Sequence, residues 1–337
     1  MNATIIIIST NEVINVTVAD KHDARQIARR MSGVNAAAVA INYTKSGRPG
    51  CNTEIYSNGH KVTLVKGNNK VGRDVYTLTF PAGCGCPKDC GCYTSGDCYG
   101  MNGCFVFDNV KACHLENWLA FNASIKNFES ALDYLIKAYK ARAVRLLVAG
   151  DADPGFPAMA CRLAAKNTNV VFQEFTKKYD LWNDQLETNL RFTGKLLPDN
   201  YTLMYSVWPG YEMKNPYNMP LAVFVPIGET APVNATACGG CCSDCVKAGA
   251  GCIGAKCGDI IALYEHSTKA AKNLNNTCDT GVTVVFKGGR VYAYTENNKQ
   301  CKGGRDYETA LCNLASVTGY TLDAIRAAVD TVEDWEV

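Results

Sequence analysis

In the middle of the chain, short apolar runs alternate with longer amphipathic segments. The apolar runs, such as Val144–Ala149, are continuous, which is typical of strands buried on both faces of a parallel sheet. In Asn127–Ala141, by contrast, Phe128, Leu132 and Leu135 recur at helical spacing. Strands that alternate with helices in this way predict βαβ units and a parallel sheet.

The predicted core elements follow one another from residue 75 onward. The strands are expected at Val75–Phe80, Val144–Ala149, Val170–Phe175, Thr202–Val207, Pro220–Val225 and Asp259–Glu265, and the helices at Asn127–Ala141, Phe156–Lys166 and Leu181–Arg191. These units are too few for a closed eight-stranded barrel. We therefore expect an α/β protein built on a partial or open parallel (β/α) barrel.

Small α+β additions are predicted at both ends of this core. Residues 1–67 form an N-terminal module with a helix at Lys21–Ser32, and residues 68–268 form the cysteine-rich, barrel-like core. Residues 269–337 form an α+β tail, with a hairpin around Gly288-Gly289 and two short helices at Asp306–Ser316 and Thr321–Val332.

Charge and hydropathy exclude several classes of protein. The 34 basic and 32 acidic residues leave a formal charge of +2, so there is no strong signal for nucleic-acid binding. The apolar run Ile5–Ile8 is too short to span a membrane, and the start lacks the basic region of a secretory signal. We expect a cytoplasmic protein with no membrane partner.

Cysteine is the unusual residue, with 18 in 337 positions. A first group lies in the loop after the first core strand, at Cys84, Cys86, Cys90, Cys92 and Cys98. In a reducing compartment, clustered thiols are typical of metal or cluster ligands. The loop contains no Cys-x2-Cys unit, which favours an iron–sulfur cluster over zinc. We predict Cys86, Cys90, Cys92 and Cys98 as ligands, with Cys84 as a rival and a zinc-stapled loop as the alternative.

A second group of thiols follows the fifth core strand, at Cys238, Cys241, Cys242, Cys245, Cys252 and Cys257. Four sulfurs within eight residues can surround one iron or zinc ion or an iron–sulfur cluster. The predicted ligands here are Cys238, Cys241, Cys245 and Cys257, with Cys242 and Cys252 as rivals. Structural zinc is an equal alternative for this group, and disulfides are a lesser one.

Polar residues at the ends of the predicted strands form the remaining candidate site, because that end of a (β/α) barrel carries the active site. Asp151 and Lys177 are candidate catalytic residues, and Gly150, Asp151, Ser206 and Trp208 are candidate cofactor-binding residues. For Asp151, capping of the helix that opens near residue 154 is an equal alternative.

Several blocks, in this order, resemble the phage gene-product-88 family over about residues 68–268. They are Tyr76–Ala82, Cys86-Pro87, Cys98-Tyr99, Phe107–Ala112, Val144–Asp151, Phe175–Lys177, Ser206–Gly210 and Asn215–Tyr217. The resemblance implies a protein of the cytoplasm of an infected bacterium. It implies little about the reaction, because the family is largely uncharacterised.

The family's layout is similar to that of radical S-adenosylmethionine (SAM) enzymes. This similarity implies that Cys86, Cys90 and either Cys92 or Cys98 bind a 4Fe-4S cluster whose open iron chelates SAM. Gly150-Asp151 would then meet the SAM amino group. The usual spacing in those enzymes is Cys-x3-Cys-x2-Cys, whereas this loop offers Cys-x3-Cys-x1-Cys, and an additional thiol would close the open iron to SAM.

Three functions are consistent with these features. The first is an iron–sulfur, radical-SAM-like enzyme acting on a nucleotide or a small metabolite. The second is an electron-transfer or metal-sensing protein with fully ligated clusters. The third is a zinc-stabilised binding module.

Overall fold

The computed structural model describes residues 2–34, 37–43, 53–68, 71–88, 90–94, 98–208, 212–226 and 229–264, together with the backbone of three later strands. Residues 1–224 and 232–263 form one compact unit, and residues 225–231 and 264–337 form a second. The candidate residues of both cysteine groups lie in the first unit.

The N-terminal part of the first unit is a five-stranded antiparallel sheet covered by a helix. The strands are β1 (Asn2–Ile7), β2 (Glu12–Thr17), β3 (Ala38–Tyr43), β4 (Thr53–Ser57) and β5 (His60–Val62), in the order β2-β1-β3-β4-β5. Helix α1 (Lys21–Val34) begins at the predicted residue. The Asp20 carboxylate accepts the His22 and Asp23 amide hydrogens and so caps this helix.

The large sheet has eight strands in the order β12-β13-β11-β10-β9-β8-β7-β6. Their bounds are β6 (Val65–Lys66), β7 (Val75–Thr77), β8 (Ala143–Leu146), β9 (Val171–Thr176), β10 (Tyr201–Val207), β11 (Leu221–Val225), β12 (Thr236–Ala237) and β13 (Ile260–Tyr264). Strands β7 to β11 pair in parallel in chain order. A mixed α/β fold on a largely parallel sheet is therefore confirmed, although β6 pairs antiparallel with β7. The pairing found among the described residues closes no barrel, so the partial (β/α) barrel stays a prediction.

Four long helices follow, namely α3 (Asp108–Ala123), α4 (Ile125–Ala138), α5 (Phe156–Lys166) and α6 (Tyr179–Thr193); a single turn, α2 (Gly91–Thr94), precedes them. Their buried side chains share one hydrophobic core with strands of both sheets. The rings of Phe80, Phe121, Phe128 and Phe156 meet at the centre of the core with centroids 5.5–6.1 Å apart. No helix in the described ranges is both long and apolar enough to cross a membrane.

Two differences from the predicted elements have clear physical causes. Strand β8 stops at Leu146 rather than Ala149, because Leu147 has a φ of +47°, outside the β region. Helix α3 was not among the predicted elements. It has no regular apolar stripe, because its inner face contains the buried polar residues His114 and Asn117. The Asn117 side chain bonds the backbone of Thr63 and Thr79, which explains a polar residue at that position.

In the second unit, β14 (Val282–Lys287) and β15 (Arg290–Thr295) form an antiparallel hairpin at the predicted place, and β16 (Gln300–Cys301) pairs with β15. The helices predicted at 306–316 and 321–332 lie outside the described residues.

Glu174, in the middle of the large sheet, is completely buried. Its carboxylate accepts hydrogen bonds from the Trp182 indole and the Tyr201 hydroxyl. Burial nevertheless dominates and raises the pKa of Glu174 from 4.5 to about 8. The folded protein therefore keeps this proton at pH values where the unfolded chain has released it.

We predict that the free energy of unfolding falls with rising pH between these two values because of Glu174, by about 1.4 kcal/mol per pH unit. The contribution is complete below pH 4.5 and lost as the pH rises through about 8. In Glu174→Gln this slope should disappear, as measured by urea unfolding across that range. Glu187→Gln, on the exposed side of α6, is the control; an unchanged slope in Glu174→Gln would contradict the prediction.

Candidate functional site

A cavity of about 200 Å³ opens at the carboxyl ends of β8, β9 and β10. It brings together every predicted site residue outside the second cysteine group: Cys86, Cys90, Cys92, Cys98, Gly150, Asp151, Lys177, Ser206 and Trp208. Arg145 and several aromatic side chains complete its walls. Strand ends of a parallel sheet are the usual place for a ligand site in α/β proteins.

The first cysteine loop is held against the strand ends by close backbone contacts. The Asp151 amide donates to the Cys84 carbonyl oxygen at 3.2 Å. Gly85 has a φ of +69°, and a Cβ there would lie 2.1 Å from the Asp151 carbonyl oxygen. Only glycine fits at this position, which explains why it stands between Cys84 and Cys86.

Within this loop, the thiol of Cys92 contacts two other thiols, those of Cys90 and Cys98. The Cys90 and Cys92 sulfurs lie 3.2 Å apart, and Cys92 is also hydrogen-bonded to Cys98. The hydrogen bond from Cys92, opposed by burial, lowers the pKa of Cys98 to about 7. The hydrogen bond to Cys92, with burial, raises the pKa of Cys90. Cys98 is therefore the thiol of this group that most readily becomes a thiolate ligand.

Cys86 faces the same cavity from the other end of the loop. Burial, together with the negative charge of Asp151, raises the pKa of its thiol to about 12. A bound metal would have to supply the charge that stabilises this thiolate, because metal binding and thiol deprotonation are coupled.

The Asp151 carboxylate is buried, with 4% of the residue exposed. Its Oδ1 accepts the Ala152 amide hydrogen and the Thr176 hydroxyl, and its Oδ2 accepts the Lys177 amide hydrogen. Asp151 thus joins the end of β8 to the end of β9. The carboxylate lines the cavity with part of its acceptor capacity already used, so its direct role in catalysis stays a prediction.

Lys177 and Arg145 bring positive charge to the cavity, and the described residues include no ion pair to either. Burial lowers the pKa of Lys177, but the charges of Cys92, Cys90 and Asp151 outweigh it and raise the pKa overall. Lys177 Nζ lies 5.8 Å from the centre of the Trp208 ring. The Arg145 guanidinium carbon lies 4.7 Å from the centre of the Phe175 ring.

Arg145 was missed as a site residue by the sequence analysis. The available signal was a lone cation inside the apolar run Val144–Ala149. A charged side chain on a buried strand requires a partner or a ligand.

Ser206 and Trp208 lie at the carboxyl end of β10. Trp208 stacks on Phe224 with ring centroids 4.4 Å apart and forms a flat aromatic wall. Gly91 allows the cysteine loop to approach this wall, since a Cβ there would lie 3.1 Å from the Trp208 ring. The Ser206 carbonyl accepts the Tyr179 hydroxyl hydrogen, while the residue faces the cavity.

The second cysteine group lies outside this cavity, around helices α7 (Cys242–Ala248) and α8 (Gly251–Gly254). Cys252 is buried, whereas the predicted ligand Cys257 is exposed in the turn before β13. No disulfide is formed among the cysteines whose surroundings are described. Within the described ranges, no group of three or more His, Cys, Asp or Glu side chains is placed to hold a metal ion.

The fold and the cavity define an open α/β protein with a cysteine-rich pocket at the strand ends. Residues 53–215 match the family model described as gene product 88, so this segment of the chain is similar to that family. The match confirms the resemblance, begins earlier than expected, and ends before the second cysteine group. Comparisons with curated proteins and with solved structures found no match.

We predict that Asp151→Asn destabilises the protein by about 1–3 kcal/mol. The amide nitrogen that replaces one oxygen cannot accept the hydrogen bond from Lys177, Ala152 or Thr176, and a buried donor is left unsatisfied. Urea unfolding measures the change. Asp180→Asn removes an exposed pair with Lys214 and a charge in the first turn of α6, and should cost less than about 1 kcal/mol. Equal stabilities for the two variants would contradict the role assigned to Asp151.

Proposed function

We propose that the cavity binds an iron–sulfur cluster, of 4Fe-4S type, through Cys86, Cys90, Cys92 and Cys98, and that a small ligand binds beside it. The observation that supports this most directly is the convergence of these four thiols on one cavity with Lys177 and Trp208. We propose a radical-SAM-like enzyme that acts on a nucleotide or small metabolite in the cytoplasm of an infected bacterium. That compartment keeps thiols reduced.

The donor set suits such a cluster. Thiolates are soft ligands that select iron–sulfur centres. A cluster spreads its thiolates over several iron atoms, so the ligands stand farther apart than around a single zinc ion. Arg145 and Lys177 would offset the negative charge of the thiolates, and the aromatic walls would limit water. When bound, the cluster supplies one-electron chemistry; the protein residues bind and orient the ligand.

The remaining lining favours a ligand that is both anionic and partly flat. Lys177 has an ammonium group without a carboxylate partner among the described ion pairs, and it faces the cavity beside Trp208. Carboxylates and phosphates are the groups such a cation binds, and Trp208 offers a stacking surface for an aromatic base. SAM and nucleotides combine an anionic group with a purine ring. We therefore propose them as the ligand class.

A second function is favoured by the number of thiols. Radical-SAM chemistry needs three cluster ligands and one open iron, whereas four thiols of the loop line the cavity. If all four bind iron, the protein is an electron-transfer or binding protein without catalysis. Zinc in the same loop would make it a zinc-stabilised binding protein.

Anaerobic purification followed by absorbance spectroscopy and by iron, sulfide and zinc determination tests the cluster. We expect broad absorbance near about 400 nm, with iron and matching sulfide. Zinc without iron or sulfide would overturn the proposal. SAM added to the reduced protein should change the electron paramagnetic resonance spectrum if one iron is open. An unchanged spectrum would favour the fully ligated alternative.

We predict that Lys177→Gln weakens SAM binding about tenfold or more, because a charge-assisted hydrogen bond to a carboxylate is lost. Iron content should stay close to wild type, since Lys177 is not a proposed cluster ligand and Arg145 still offsets the charge of the thiolates. Titration of SAM against the reduced protein measures the affinity. Lys178→Gln is the matched control, because Lys178 does not line the cysteine cavity. Equal affinities for both variants would remove Lys177 from the ligand site.

A further inference from the structure

Arg145 lines the cavity from β8, and one edge of its guanidinium makes no hydrogen bond among the described residues. We propose that this edge binds an oxyanion of the ligand, a phosphate or a carboxylate group, at a subsite separate from the one proposed for Lys177. The subsite belongs to the ligand cavity of the proposed function and so rests on that function, but it requires no cluster.

The register of the sheet places Arg145 and Lys177 at different depths. Arg145 pairs with Gln173 on β9, and Lys177 follows Gln173 by four positions in the sequence. A strand rises about 3.3 Å per residue, so the backbones of the two cations lie roughly 13 Å apart along the strand direction. Both side chains nevertheless line the same cavity. The cavity therefore has one cation at its rim and another toward its floor.

Protein atoms contact only part of the Arg145 guanidinium. Its carbon lies 4.7 Å from the centre of the Phe175 ring, and its Nη1 lies 3.8 Å from the Cys242 sulfur, which is a weak acceptor. The other edge of the guanidinium carries Nε and Nη2. This edge makes no hydrogen bond within the described ranges, and its Nε is buried. Two N–H groups on one edge form the fork that binds an oxyanion through two hydrogen bonds.

Gln173 adds a second buried donor at the same level of the sheet. Because Arg145 and Gln173 are paired residues of neighbouring parallel strands, their side chains project from the same face. Gln173 is 2% exposed, and its Nε2 has no hydrogen-bond partner. Of the three buried side-chain nitrogens without a partner in the described part of the chain, these two neighbours carry two. Buried donors are normally satisfied by protein, ligand or ordered water.

The charge of Arg145 favours an anion over a neutral acceptor. Neither orientation of the Gln173 amide supplies negative charge, and the described ion pairs include none to Arg145. A partly buried cation is stabilised by a counter-charge. A nucleotide or another anionic metabolite carries such a group, whereas an uncharged nucleoside would leave Arg145 without one. The subsite therefore narrows the proposed ligands to those with a phosphate or carboxylate that reaches the cavity floor.

Calorimetric titration of the full-length protein with inorganic phosphate and, separately, with malonate tests the subsite. Arg145→Gln should weaken binding about tenfold or more, because a charge-assisted hydrogen bond is lost. Arg145→Lys should also bind more weakly than wild type, since lysine keeps the charge but not the fork. Arg142→Gln removes an exposed arginine three residues earlier in the chain. It is the matched control and should bind both anions as wild type does.

Gln173→Glu tests the subsite without removing Arg145. The new carboxylate would pair with the guanidinium on the same face of the sheet and should weaken anion binding by a similar factor. Wild-type affinity in Arg145→Gln, or in Gln173→Glu if Arg145→Gln does not fold, would overturn the proposal. Loss of the anion in Lys177→Gln but not in Arg145→Gln would assign it to the rim and would also overturn the proposal.

The two probes distinguish the source of the oxyanion. Binding of phosphate alone through Arg145 would assign a phosphate group, binding of malonate alone a carboxylate, and binding of both an oxyanion subsite open to either. Wild-type protein that binds neither anion would overturn the subsite. If SAM binds and neither anion depends on Arg145, the subsite fails and the proposed function stands. If an anion depends on Arg145 in protein that holds no iron and binds no SAM, the subsite stands and the proposed function fails.

Discussion

One buried residue, Asp151, holds together three segments that are distant in sequence. Its carboxylate accepts hydrogen bonds from Thr176 and Lys177 at the end of β9. Its backbone amide donates to the carbonyl oxygen of Cys84 in the cysteine loop. Burying a carboxylate is costly unless its acceptors are used. Because three donors are in place, the cost is offset, and the thiols, Lys177 and the strand ends are held in one fixed arrangement.

The same sheet positions a cation that contacts both the cavity and the second group of thiols. Arg145 stands on β8 and lines the cavity, with its guanidinium beside Phe175 and its Nη1 3.8 Å from the Cys242 sulfur. A strand can hold a side chain in such a place more rigidly than a loop can. The family match covers Arg145 and the first group but ends before the second. Arg145 thus adds a side-chain contact between the matched segment and the part beyond it, which the pairing of β10 with β11 already joins.

Patterns of local sequence predicted the elements well where one physical signal dominated. Helix α5 has the predicted bounds because its apolar spacing and Pro157 at the helix start agree. The first-loop thiols could be expected near Lys177 and Trp208, because residues that follow parallel strands meet at the carboxyl edge of the sheet. The burial of Cys252 and the exposure of Cys257 could not be predicted, because they depend on how α8 folds back. Strand β4 was not among the predicted elements.

Chain order and sheet order disagree at one edge of the large sheet. Strand β11 pairs with β10 on one side, but its other neighbour is β13, which comes later in the sequence than β12. During synthesis, domains form from the amino terminus as the chain emerges. The apolar β11 therefore stays an open edge, a template for pairing with other chains, until residue 264 has left the ribosome. The cysteine segment between β11 and β13 sets how long that exposure lasts, so premature termination there would leave an aggregation-prone product.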